Sequence, residues 1–208
     1  MPPPQRGAVA PDLAAEFPGL GLWWVAVDVA PRAREDGRAR LRRLSDDYRP
    51  RDALSPGGRP AAHDAARVFA RQVGLDPDGA GLRPDAVARE SALAGHLVSR
   101  GPVADALLAV AVTSGVTLAA VDARGVTGSP GLRASAAGET VGGLPLPPGT
   151  LVVADDRRAL ARLFADPPHD LRPRRARGVV LWAVEVPGAP PWETEEAVWQ
   201  AGRFLAGD

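Results

Sequence analysis

Arg83 and Arg89 bracket a predicted helix start opened by Pro84, and a planar guanidinium fork suits phosphate or carboxylate recognition through paired hydrogen bonds. Surface ion pairs with Asp85 or Glu90 are their plainer role. Asp105 interrupts an apolar stretch, where a carboxylate must be hydrogen-bonded, ion-paired or used as a helix cap. Thr113 and Ser114, just before Gly115, can orient a water, bind a ribose or cap a helix end. Asp122 precedes Ala123-Arg124-Gly125, a setting for a turn-forming aspartate as well as for a base, and Glu139 lies in a Gly-Glu-Thr turn. The run Arg172, Arg174, Arg175 and Arg177 is the best local contact for a phosphate backbone, with a solvated loop as its alternative. The candidate set is therefore Arg83, Arg89, Asp105, Thr113, Ser114, Asp122 and Glu139 for a substrate and Arg172, Arg174 and Arg175 for RNA, with no catalytic residue assigned.

Composition removes many other chemistries. The chain has no cysteine, so disulfides, thiolate nucleophiles and cysteine-bearing zinc sites are excluded. It has no lysine, so a lysine-bearing phosphate loop and a Schiff base are excluded too. His63-Asp64 and His169-Asp170 superficially suggest a metal phosphohydrolase, but the second pair follows Pro167-Pro168 and no further pattern supports it, while His96 sits near a helix end. No metal and no cofactor are expected. The formal charge balances to zero, so any nucleic-acid contact must be local. No apolar run approaches the roughly 20 residues of a membrane helix, and the start lacks a signal-peptide order. The expectation is a cytoplasmic protein with no membrane partner.

These residues need positioning elements. Residues 1 to 16 read as a flexible N-terminal arm, and residues 17 to 208 as one domain. Leu22 to Val29 is short, apolar and aromatic, which favours a buried strand. Arg32 to Arg59 reads as solvated surface with a short basic helix over Ala39 to Leu44. Helices follow over Pro60 to Val73, stopped by Gly74, over Ala86 to Gly95, and over Val103 to Ala111. The pattern then turns to strands at Thr117 to Val121, Gly131 to Ala134 and Thr150 to Ala154. Asp156 to Phe164 reads as a short helix, Gly178 to Val186 as the best strand, and Thr194 to Leu205 as a final amphipathic helix. The sum is α+β, a mixed β-sheet core flanked by helices. Trp23, Trp24 and Trp182 fall on strands and Trp192 and Trp199 near the end; core packing is the first expectation for the adjacent pair, and stacking on a base the second.

The order of these pieces resembles the tRNA-editing (B3/B4) domain of the phenylalanyl-tRNA synthetase β subunit, and especially free-standing proteins built from that domain. The resemblance is carried by Phe69 to Gly74-Leu75-Asp76-Pro77, Leu82-Arg83-Pro84-Asp85, Val103-Ala104-Asp105, Gly115 to Asp122, and Leu132-Arg133 through Gly138-Glu139. It implies a cleft that accepts the aminoacylated end of a tRNA and hydrolyses a mischarged ester in trans, with tRNA or aminoacyl-tRNA as partner and no cofactor. Such an ester needs only a positioned water, so no nucleophile is required.

The chain departs from that pattern at polar positions. Leu107 and Leu108 stand where the free-standing family has an asparagine pair, and the chain has no asparagine at all. Ala119 stands where the synthetase has a histidine, and Trp182 where it has a pocket glutamate, with Glu185 three residues on. Two expectations follow: an aminoacyl-tRNA deacylase, or a non-catalytic module for RNA or a small amino-acid-like ligand that keeps the fold with a depleted site. A cleft beside Gly115 to Asp122 with convergent polar groups would favour ligand binding, and a filled one would count against both readings and favour a scaffold or protein-interaction role.

Overall fold

A computed structural model describes residues 1–51, 55, 57–78, 82–174 and 176–208. The main sheet is built from β1 (Gln5–Arg6), β2 (Gly21–Asp28), β3 (Leu118–Asp122) and β9 (Gly178–Glu185), in the order β1-β2-β9-β3. β9 is internal, and its unbroken apolar run, Val179-Val180-Leu181-Trp182-Ala183-Val184, is the pattern of a strand covered on both faces. A second sheet, in the order β4-β7-β8, contains β4 (Gly131–Ala134), β7 (Leu151–Ala154) and β8 (Ala159–Arg162). β5 (Thr140–Val141) and β6 (Leu144–Pro145) form a small hairpin.

Among the described residues, the α-helices that position the core are α1 (Pro11–Glu16), α2 (Ala33–Asp47), α3 (Ala61–Gln72), α4 (Arg83–Ala94), α5 (Pro102–Ser114) and α6 (Pro191–Ala206). Strand side chains alternate between two cores, because successive residues point to opposite faces. Val25, Leu118, Ala120, Leu181 and Ala183 pack against Ala106, Val110, Ala197 and Ala201 of α5 and α6. Leu22, Ala119, Val121, Val180, Trp182 and Val184 pack against Phe69 of α3 and Val153 and Leu160 of the second sheet. Leu41, Val87, Leu97 and Ala109 tie α2, α4 and α5 together.

The α+β class stands, but the sheets are not mixed: every pairing between the named strands is antiparallel, and the parallel contact is the isolated bridge between Val9 and Leu132. Residues 1 to 16 are not a loose arm. Arg6 pairs with Trp23, and α1 buries Leu13 in the core, so one apolar side chain and a short ladder outweigh the proline-rich composition. The basic helix expected over Ala39 to Leu44 extends to 15 residues, since Ala33, Gly37 and Leu41 give it a buried stripe at four-residue spacing. Residues 156 to 164 are not a helix. The Asp155 carboxylate accepts from the backbone N–H groups of Arg157 and Arg158, at 2.8 Å each, and this turn returns the chain as β8 beside β7.

Gly115 ends α5 in the left-handed region at φ 74, and a Cβ there would meet Pro60 Cβ at 2.8 Å and His63 Cβ at 2.9 Å. Gly149 has a similar φ of 81 with nothing within 4 Å. Gly115→Ala is expected to cost about 1–3 kcal/mol in urea unfolding, and Gly149→Ala about 1 kcal/mol, because only the first adds a collision to the backbone strain.

Candidate functional site

The face of the main sheet where the resemblance expects a cleft is filled. Trp182 on β9 pairs directly with Trp24 on β2 and with Ala119 on β3, so the three side chains form one row across the sheet. Trp182 is 3 % exposed and Ala119 8 %. The largest side chain faces one of the smallest, and the indole occupies the room that Ala119 leaves. Glu185 cannot substitute for a pocket carboxylate beside Trp182, because an offset of three along a strand turns it to the other face. There it accepts from Arg6 Nη2 at 2.8 Å and Trp23 Nε1 at 2.9 Å. Leu107 is buried between α5 and the sheet, and Leu108 packs beside Leu41 and Val87.

Most of the predicted substrate residues are engaged within the fold. Asp105 is buried and accepts from Ser99 Oγ at 2.6 Å and from the backbone N–H groups of Arg100 and Gly101 at 2.7 and 3.2 Å. It therefore caps the loop into α5. Thr113 donates to the carbonyls of Ala109 and Val110, and Ser114 to that of Val110 while accepting from Val116 N–H. Asp122 accepts from the backbone and guanidinium of Arg124, which hold its carboxyl below the usual range. Arg89 is exposed and donates to the Asp78 carbonyl at 3.2 Å. Glu139 is gripped by both terminal nitrogens of Arg133, at 2.7 and 2.5 Å, which lower its carboxyl to about 2.

Two segments read separately do come together. Arg83 does not pair with Asp85 or Glu90; its guanidinium reaches Asp166, and Arg172 lies 3.8 Å from the other oxygen of that carboxylate. Arg100, paired with Glu90, is close enough to act on Arg83. Burial, then the like charges of Arg100 and Arg172, push the Arg83 guanidinium below its ordinary value. Arg174 is exposed, and its backbone N–H donates to the Arg172 carbonyl at 2.8 Å. Arg175 lies outside the described residues.

A buried charge cluster escaped the sequence reading. His63, Arg67 and Asp85 are 1 %, 7 % and 2 % exposed. Asp85 Oδ2 meets His63 Nε2 at 3.1 Å and accepts from Arg67 Nη1 at 2.8 Å. Arg67 also grips Asp78, which Arg71 reaches at 3.2 Å. Burial alone would raise the Asp85 carboxyl, but His63 and Arg67 outweigh it and hold it below the usual range. The signal was present as His63, Arg67 and Arg71 at four-residue spacing on α3. The cluster joins α3 to the start of α4.

A cavity of about 500 Å³ lies between α2 and α4, with Ser45, Tyr48, Arg49, Ser91 and His96 in its wall. Burial, then the Asp85 charge, raises the Tyr48 phenol to about 12. Four of the wall's polar side chains are turned to backbone: Ser45 to Leu41 O, Ser91 to Ala88 O, Arg49 to Asp46 O and His96 Nδ1 to Ala94 O. They bond to backbone within α2 and α4 or just past their ends rather than converge on the space. Among the described residues no three of His, Asp and Glu gather as a metal site, and no helix is long and apolar enough to cross a membrane.

Removing one partner of a buried pair strands the other charge. Asp85→Ala should therefore lower the stability read by denaturant titration by about 3–5 kcal/mol. The Glu139 carboxyl is depressed from its ordinary 4.5 to about 2, so its contribution is complete above pH 4.5 and is lost as the pH falls towards 2. The stability gap between wild type and Glu139→Gln should close over that window in urea titrations. Against known proteins, no family model and no curated sequence matches the chain.

Proposed function

We propose that this chain is a non-catalytic module that binds the phosphate backbone of a tRNA through an arginine cluster outside the filled sheet face; the filling counts against a ligand in that face, so the cluster alone supports the reading. The observation that carries this reading is the convergence of Arg83 and Arg172 on Asp166, with Arg100 close enough to act on Arg83 and an exposed Arg174 two residues along the chain from Arg172. Two guanidinium groups sharing the Asp166 carboxylate, with the Glu90-paired Arg100 nearby, suit the exchange of an internal ion pair for phosphate oxygens. Chemistry is left out because the face beside Ala119 is packed by Trp24 and Trp182, and because Asp105, Thr113 and Ser114 serve the ends of α5. A water-positioning site needs several polar groups aimed at a shared space, whereas in the row of Trp24, Trp182 and Ala119 the unpartnered polar atom is the Trp24 indole N–H, a lone donor.

The test is a panel of mischarged tRNAs, read both for binding by fluorescence anisotropy and for deacylation. Binding is expected to weaken as salt rises. Arg172→Ala and Arg174→Ala should each lower the salt slope by about 1 with little dependence on tRNA sequence. Deacylation should stay at the buffer rate for wild type, Arg89→Ala and Asp105→Ala alike. Absence of tRNA binding would remove the proposal. Hydrolysis above the buffer rate that is lost in Arg89→Ala would replace it with a catalytic one.

A further inference from the structure

The outer face of α6 carries a constellation that neither the cores nor the arginine cluster use. Trp192, Glu195, Glu196 and Trp199 fall at i, i+3, i+4 and i+7, which puts them in one stripe on a helix. All four line a cavity of about 370 Å³ whose remaining wall is Pro3 and Pro4. Trp192 is 66 % exposed and Trp199 37 %, although both are large apolar side chains. At 1.5 Å of rise per residue, their Cα atoms lie about 10 Å apart along the axis. That leaves room for a flat group between two indoles, with the two glutamates between them.

The proline wall is fixed at both ends. On one side, Gln5 and Arg6 are paired with Trp24 and Trp23 in the main sheet. On the other, the Met1 ammonium is 3.4 Å from Asp208, and Met1 Sδ lies against Gly202 of α6. The groove is therefore present before any ligand arrives, which lowers the ordering cost of binding.

Charge selects the occupant. An apolar ligand would strip water from Glu195 and Glu196 without replacing its hydrogen bonds, and a phosphate would be repelled. A guanidinium meets both demands, since it stacks on an indole face and donates in parallel to a carboxylate. Arg203 already lies over the Trp199 ring at 4.8 Å, so this indole accepts a guanidinium within the fold itself. Glu196 is engaged by Gln200 Nε2 at 2.8 Å, whereas Glu195 is exposed on the same stripe.

We propose that the Trp192–Trp199 groove docks an arginine-bearing extended segment of a partner protein, its guanidinium between the two indoles and against Glu195. The site lies on α6 and involves no member of the Arg83, Arg100 and Arg172 cluster, so it stands or falls independently of tRNA binding. The test is titration of the isotope-labelled chain with an acetylated, amidated Pro-Arg-Pro peptide, following the five indole N–H signals by NMR. Saturable shifts are expected at the Trp192 and Trp199 signals and not at the other three. Glu195→Arg should weaken binding at least about tenfold, and Trp192→Ala should abolish it; thermal melts check that both variants fold, as exposed helix positions allow. The same peptide with alanine in place of arginine should not bind. Absence of saturable shifts at millimolar peptide, undiminished binding to Glu195→Arg, or equal affinity for free arginine would each overturn the proposal.

Discussion

Everything in this molecule is arranged around one fact about β9: it is covered on both faces. Leu181 and Ala183 meet the helices on one side, while Val180, Trp182 and Val184 meet α3 and the second sheet on the other. A strand in that position has no solvent in which to place a polar group. Its backbone must be satisfied by neighbours on both edges, which β2 and β3 supply antiparallel. The only carboxylate on β9, Glu185, sits at its last residue and is met by Arg6 and Trp23. The expected pocket shared this sheet face, so burying β9 and keeping an open polar cleft became competing demands. Burial prevailed here.

Polar side chains that remain inside do so by joining elements. Asp105 fastens the loop before α5, and the backbone of α2 comes close enough there that a Cβ on Gly37 would lie 3.2 Å from Asp105 Cβ. The group of His63, Arg67 and Asp85 holds α3 against α4. The pair of Arg67 and Asp85 has the traits that usually flag catalysis, namely burial, opposite charges in contact and a carboxyl held below its usual range. Their geometry assigns them to architecture, because each is bonded to another element and none of them lines either of the two cavities described.

The sequence was most legible where one physical signal dominated. β9, α3 and α6 followed from apolar periodicity, and α5 from its alanine-leucine run closed by a glycine. It was least legible where a local pattern and a tertiary partner disagreed. Leu160, Leu163 and Phe164 have a helical spacing, yet β7 offered an unpaired edge and the Asp155 turn delivered the chain to it. Residues 1 to 16 looked like an arm because no local pattern sustains them; their order comes from β2 and from the core around Leu13, which lie outside the segment. The candidate residues show the same limit. Residue type indicated that Asp105 needed partners, but only the fold could supply Ser99, and nothing in the Gly-Glu-Thr turn pointed from Glu139 to Arg133.

The row formed by Trp24, Trp182 and Ala119 also restricts how this chain can drift. A larger residue at position 119 would collide with the indole opposite it, and a smaller one at 182 would open a cavity costing about 3–5 kcal/mol. Either step alone lowers fitness through stability even if both together would be neutral, so the two positions are locked to each other. Such a pair acts as a ratchet. A descendant of this sequence can elaborate its helices and loops step by step, but reopening this face of the sheet by shrinking residue 182 carries that stability cost, and enlarging residue 119 to offset it fills the space again.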